Sequence, residues 1–286
     1  LSTDILREMT VLLTNDDGIE SPGLEALYKG LSTVTDVVVV APETDQSGVG
    51  RARSGMGDDR PNSVEITDHE WGYVVDGTPA DCTAVGLRGI PEAESVDLIV
   101  SGCNHGPNVG SYLMGHSGTI GAVVEGVFLG VPGIAVSAYD SETYYPGDDG
   151  FEPAGEVMAT VVESVLNSQL FDDDTDLLNV NIPSRTPNRM RLTTPLADYE
   201  TDIKPNGSTN EFDSSYWAAR PIAGDGWEPA LVDYHGVYPE GSDRAAVVDG
   251  EVSITPFQAP QTVVEPHPQL SELAEKYNRT ATEAEP

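Results

Sequence analysis

Short, mostly apolar runs alternate along the chain with stretches in which apolar residues recur every three or four positions. Val11–Leu13, Val37–Ala41, Val96–Val100, Gly133–Ser137 and Leu177–Ile182 are runs of the first kind, the pattern of strands buried on both faces of a sheet. Leu24, Leu27, Tyr28 and Leu31 have helical spacing behind Ser21-Pro22, which supplies a cap and a first-turn proline. Gly77–Cys82 opens a second helix with Thr78 as cap and Pro79 in its first position. Ile120–Leu129 and Glu152–Leu170 predict two more, and Val64–Ile66 with Tyr73–Val75 predicts two short strands flanking a turn. Strand and helix therefore alternate, with right-handed crossovers. The expected fold class is α/β, a Rossmann-like, mostly parallel sheet flanked by helices.

Beyond Pro183 the pattern loosens. The stretch to Pro260 is rich in Pro, Gly, Trp and Tyr, with a short strand expected around Met190–Thr193 and a hairpin at Ala245–Val248 and Val252–Ile254. Leu270, Leu273, Ala274 and Tyr277 mark a final helix. The expected organisation is one domain over 9–286, with a core at 9–183 that carries the site. An extension at 184–286, with its β-hairpin and terminal helix, is expected to serve oligomerisation. Met9 is read as an older start, so Leu1–Glu8 stands outside the fold argument.

Charge sharpens this picture. Against 48 Asp plus Glu stand only 14 Lys plus Arg, a formal charge of -34, and the acidic residues are dispersed rather than gathered in a tail. With 38% hydrophobic residues, such a chain has the apolar content to fold. Its surface suits molar salt, where the Debye length falls to about 3 Å and self-repulsion is screened, so a halophile is expected. No basic stripe exists to displace counterions from a nucleic-acid polymer. No apolar run approaches membrane-spanning length, and the N-terminal residues lack the pattern of a signal peptide. A cytoplasmic protein without a membrane partner is expected. Cys82 and Cys103 lie in no zinc or redox spacing and are expected as free, buried thiols. Asp172–Asp174 is expected as a solvated loop.

Candidate chemistry gathers where strands end. Asn15-Asp16-Asp17-Gly18 follows the first apolar run at once, and ligands of open α/β sheets bind outside the carboxyl ends of strands. Two adjacent buried carboxylates call for a divalent cation or a shared proton. The second strand empties into Pro42–Gly57, a glycine-containing loop able to bring the Ser47 hydroxyl to the same edge. Val96–Val100 leads into Ser101–Gly110, a loop rich in glycine and asparagine that holds Asn104, His105 and Asn108. Gly115–Thr119 places small hydroxyl residues at a helix N-terminus, where backbone N–H groups favour an anion. No Gly-Lys-Ser/Thr is present, which disfavours a P-loop NTPase.

Taken in series, Leu13–Ile19, Gln46-Ser47-Gly48, Gly77–Cys82, Ser101–Gly106 with Asn108 and Gly110, Ser117-Gly118-Thr119, Asn179–Pro183 and Val252–Pro256 resemble the SurE family of survival-protein nucleotidases. The resemblance covers nearly the whole chain and departs in the Gly50–Asp59 loop and through much of 200–240. It implies a metal-dependent phosphomonoesterase acting on nucleoside 5′- and 3′-monophosphates and assembled as a homodimer or homotetramer. It places one divalent cation on Asp16, Asp17, Ser47 and Asn104, and the phosphate near Asn15, Asn108, Ser117, Gly118 and Thr119. Such an all-oxygen ligand set suits Mg²⁺ or Mn²⁺ rather than Zn²⁺.

The expected chemistry is attack on phosphorus by a water that the cation activates, with Asp16 and Asp17 as catalytic residues and Asp16 orienting or deprotonating the water. A covalent aspartyl-phosphate on Asp16 is the rival route. His105 and His116 are candidates for protonating the leaving group, and Tyr112, Tyr144 or Trp217 for stacking on a base, with packing as the alternative role. Hydrolysis of polyphosphate or other phosphoesters, or nucleotide binding without hydrolysis, are the other readings of the same residues.

Overall fold

The structure is a computed structural model that describes residues 9–56, 62–91, 95–168, 170–171, 175–197, 201–214, 219–221, 227–229 and 238–259. Strand β1 (Thr10–Thr14) runs into helix α1 (Pro22–Leu31) and strand β2 (Asp36–Pro42). Strands β3 (Ile66–His69) and β4 (Gly72–Val75) precede helix α2 (Pro79–Arg88), and β5 (Val96–His105) leads to the short helix α3 (Ser111–His116) and to α4 (Gly118–Phe128). Strand β6 (Gly133–Tyr139), helix α5 (Glu152–Leu166) and strand β7 (Leu177–Pro183) complete the core. Strand β8 (Met190–Leu192) follows. Next come two short antiparallel pairs, β9 (Thr201–Asn206) with β10 (Thr209–Ser214) and β11 (Ala219–Pro221) with β12 (Trp227–Pro229). Helix α6 (Asp243–Val248) and strand β13 (Val252–Phe257) end the described chain.

Among the described residues nine strands form one sheet, in the order β3-β4-β2-β1-β5-β6-β7-β13-β8. From β4 to β7 neighbouring strands are parallel, whereas β3 on β4 and β13 on β7 are antiparallel. From β1 the chain moves outward to β2, then returns to β1's other side as β5. The crevice at the carboxyl ends of β1 and β5 is therefore a topological switch point.

The apolar runs are explained by two cores, one on each face of the sheet. Val11, Leu13, Val39 and Val100 face α1 and α5, while Leu12, Val40 and Ile99 face α2 and α4, because successive side chains of a strand point to opposite faces. Leu24, Leu27 and Leu31 of α1 are fully buried in the first layer; truncating one of them to Ala costs about 2–5 kcal/mol. Ser21 caps α1 by accepting from the Leu24 N–H, and Thr78 caps α2 in a reciprocal capping box with Asp81.

Several expectations need correcting. Ala245–Val248 is not a hairpin strand but part of α6, where Ser242 accepts from the Ala245 N–H at 3.1 Å. A four-residue apolar run fits either period, and the cap decides it. Val252–Ile254 belongs to β13 of the main sheet, with Ile254 opposite Val180. A hairpin does occur at β9 and β10, within a stretch whose sequence reads as irregular. Ser101–His105 is not loop but the end of β5, which continues past a register shift between Ser101 and Asn104. Helix α5 stops at Leu166 rather than Leu170, and the short strand expected at Val64–Ile66 lies at Ile66–His69. The expected terminal helix, Asp172–Asp174 and Trp217 lie outside the described residues. Among the described residues no helix is long and apolar enough to cross a membrane.

Candidate active site

At the end of β1 the chain turns sharply. Gly18 has a φ of +97°, a conformation that side chains disfavour. Asn15 braces the turn by donating from Nδ2 to the Gly18 carbonyl and to Ser21 Oγ, both at 2.8 Å. Asp16 is buried against the start of α4. A Cβ on Gly118 would stand 2.9 Å from Asp16 Cβ and Oδ2, so only glycine allows this approach. Thr119 Oγ1 donates to Asp16 Oδ1 at 2.6 Å. Asp17 accepts at Oδ2 from the His105 backbone N–H at 3.2 Å, which ties β1's turn to the end of β5.

The loop after β2 reaches the same edge through Gln46, whose N–H donates to the Asp16 carbonyl at 2.7 Å. Both the backbone N–H and the hydroxyl of Ser47 donate to Asp45 Oδ1, the hydroxyl at 2.6 Å. Two helices hold the loop down. Asp81 of α2 accepts from the Ser54 N–H and hydroxyl, and the Glu125 carboxylate of α4 pairs with Arg53 at 2.9 Å and Arg51 at 3.6 Å.

These loops enclose a cavity of about 540 Å³ lined by Asp16, Asp17, Asp45, Ser47, Asn104 and His105, with Asn108, His116, Ser117, Tyr144 and Tyr145 completing its polar and aromatic wall. Among the described residues no lysine or arginine lines it. Burial pushes the Asp16 carboxyl up despite the Thr119 hydrogen bond. Burial, with Asp16 and then Asp45 nearby, raises Asp17 to about 8. Three acidic side chains at one wall oppose one another's ionisation, and a divalent cation offsets the charge they develop when ionised. Asn104 donates from Nδ2 to the Gly106 carbonyl at 2.6 Å, which leaves its Oδ1 as an acceptor. The donor set is thus hard and all-oxygen, and it fits such a cation. Among the described residues no three His, Cys, Asp or Glu side chains are grouped to hold a metal, so a cation there would draw on the serine and the amide as well.

The structure brings Asp16, Asp17, Ser47 and Asn104 to one cavity, together with Asn108 and Ser117. Asn15, Gly118 and Thr119 are not among its lining residues. Their contacts are the turn brace, the close approach and the bond to Asp16 described above. Ser117 Oγ accepts from the Ile120 N–H as the cap of α4, which directs its own proton elsewhere. The two histidines differ. His105 Nε2 lies 2.8 Å from the Pro146 carbonyl, to which it must donate, and its ring stacks on Tyr145 at 5.0 Å. His116 stands at the cavity with its ring 4.6 Å from that of Tyr112.

A family profile described as survival protein SurE matches residues 11–201. The chain is 40% identical over 282 residues to a protein named 5′-nucleotidase SurE from Haloarcula marismortui, covering 94% of this chain and 96% of that one. The chain belongs to the SurE family. It is 41% identical over 278 residues to the protein of the same name from Natronomonas pharaonis, covering 94% and 100% of the two chains. The crystal structure of the SurE protein from Aquifex aeolicus matches this fold with a TM-score of 0.70 at 31% identity, covering 94% of this chain and 99% of that one. The expected α/β SurE-like fold is therefore found. The acidic surface agrees with relatives from halophilic archaea.

Sequence reasoning missed Asp45 and Tyr145. Asp45 sits two residues before Ser47 in a stretch that reads as an ordinary turn. Its signal was only that a third carboxylate precedes an expected ligand.

Proposed function

We propose that this SurE protein is a divalent-cation-dependent phosphomonoesterase that converts nucleoside 5′- and 3′-monophosphates to nucleoside and phosphate. The single observation that carries this reading is the cavity at the β1/β5 switch point, with Asp16, Asp17 and Asp45 on its wall and, among the described residues, no Lys or Arg there to receive a phosphate dianion. Asp16, Asp17, Ser47 and Asn104 would hold Mg²⁺ or Mn²⁺, and the bound cation would supply the positive charge that draws and polarises the phosphoryl group.

The protein's own groups do the rest. Thr119 fixes Asp16 at Oδ1, so the carboxylate is held ready to orient the attacking water and take its proton. Burial raises the affinity of Asp16 for that proton. The Ser117 hydroxyl, on the cavity wall at the start of α4, would face the charge that develops on the phosphoryl oxygens. His116, at the cavity rim, is the histidine this reading gives to the leaving alkoxide, since the Nε2 proton of His105 is engaged by Pro146. Tyr144 and Tyr145 offer apolar wall for the nucleoside.

Phosphate release from paired 5′- and 3′-nucleotides, an activated aryl phosphate and polyphosphate tests the reading. Turnover of the nucleotides at both positions is expected. Turnover of polyphosphate alone would transfer the site to another phosphoester class, and binding of nucleotides without turnover would make it a binding module.

A further inference from the structure

Behind the cavity wall, β7 carries two asparagines that the catalytic reading does not use. Asn179 and Asn181 are both fully buried and, two residues apart on a strand, point to the same side of the sheet. Both reach Asn108. Asn181 Oδ1 accepts from the Asn108 backbone N–H at 2.8 Å, and its Nδ2 donates to the Asn108 carbonyl at 3.1 Å. Asn179 Nδ2 donates to that carbonyl at 2.7 Å. The peptide groups on both sides of the Asn108 Cα are therefore clasped from β7.

The clasp continues to the carboxylates. Asn108 Nδ2 donates to Ser137 Oγ at 3.0 Å and to Thr119 Oγ1 at 3.4 Å. Since the Asp16 carboxylate has only acceptors when ionised, Thr119 must give its proton to Asp16 and accept from Asn108. This direction leaves Asn108 Oδ1 pointing away from Thr119. Asn181, Asn108, Thr119 and Asp16 thus form one buried, directional chain that spans β7, the loop after β5, helix α4 and the end of β1.

We propose that Asn181, assisted by Asn179, is a positioning residue for the SurE phosphoryl site. By holding the Asn108 backbone N–H and carbonyl, it places the residue whose side-chain amide reaches the Thr119 hydroxyl that aims Asp16. The inference rests on the nucleotidase reading above, and it adds two β7 residues that touch no substrate. Hydrogen-bonded partners standing behind ligating carboxylates typically change activity by about 10–100-fold when removed.

A double-mutant cycle between Asn181→Ala and Asn108→Ala tests it, read by phosphate release and separately by inorganic-phosphate binding in the presence of Mn²⁺. In folded protein, Asn181→Ala is expected to lower kcat by about tenfold or more with a smaller change in KM. Added to Asn108→Ala it should lower kcat by no more than about twofold further, because the side chain that carries its effect to Thr119 is already gone although the backbone it holds remains. Phosphate binding should show the same non-additivity without any turnover. Multiplying effects in both readouts would overturn the proposal and reduce Asn181 to a packing residue. If Asn181→Ala does not fold, Asn179→Ala, which removes a single donor, enters the same cycle with the same criterion. A wild-type protein that binds phosphate and shows the coupling but hydrolyses nothing would overturn the nucleotidase reading and leave the positioning role standing.

Discussion

Thr119 Oγ1 donates to Asp16 Oδ1 at 2.6 Å across 103 residues of sequence, and this bond joins the first turn of α4 to the end of β1. It makes the carboxylate's orientation a property of two separate elements. Replacing Thr119 by Val keeps the shape and removes the donor. Asp16 then loses the hydrogen bond that most opposes the effect of burial, so its affinity for a proton rises further. Phosphate release by Thr119→Val should fall by about 10–100-fold, and Thr119→Ser should recover most of it. Equal activity of the two variants would remove the bond from the account.

The raised Asp17 carboxyl makes stability depend on pH in a known direction. Between its ordinary value of 3.8 and about 8, the folded protein holds a proton that the unfolded chain has released. Stability contributed by that proton is complete at low pH and is lost as pH rises through about 8. Without added metal, Asp17→Asn should therefore be more stable than the parent protein at pH 8, with the difference shrinking toward about pH 4. Mn²⁺ added at the higher pH should stabilise the parent more than the variant. A gap in denaturation midpoint that stays constant with pH would contradict this assignment.

The two thiols should be silent. Cys82 and Cys103 are fully buried and free, and burial, with Asp81 beside Cys82 and Asp17 beside Cys103, pushes both pKa values up. Thiolate is the reactive form. Native protein should therefore take up no thiol reagent over a period in which denatured protein is labelled at both sites. Rapid labelling of folded protein would show that these positions open.

The histidines should separate by leaving group. His116→Asn is expected to slow nucleotide hydrolysis by about 10²–10⁴-fold and to spare an activated aryl phosphate, whose leaving group needs no proton. His105→Asn removes the stack on Tyr145 and the bond to Pro146, so it should affect the two substrates alike. A leaving-group-selective loss in His105→Asn would exchange the roles.

With a net charge of -34, the protein repels a dianionic nucleotide at long range, and salt screens that repulsion. The rate should rise from low to about molar KCl. A steady fall over that range, with the protein still folded, would contradict the electrostatic argument.

Local signals made the frame legible. The β-branched run at Val37–Ala41 is central strand β2, and Ser21-Pro22 and Thr78-Pro79 open α1 and α2 at the expected positions. Residues whose conformation is set from a distance were less legible. Gly102-Cys103-Asn104 does not read as strand, yet β6 pairs with β5 on both sides of the register shift there. Asp45 carries no mark of its own until Gln46 bonds to the Asp16 carbonyl and brings the loop to the carboxylates. Thr119 was expected to meet phosphate because helix N-termini favour anions. Its hydroxyl serves the neighbouring carboxylate instead, a partner that only the folded chain brings near.

Phosphate release from adenosine 5′-monophosphate in about molar KCl, with EDTA and then with Mg²⁺ or Mn²⁺ in excess, tests the central claim most directly. The parent protein and Asp17→Asn are compared side by side. The account predicts that EDTA abolishes release by the parent protein, that the added cation restores it, and that Asp17→Asn stays inactive under all conditions. Undiminished release in EDTA, or a fully active Asp17→Asn, would contradict it.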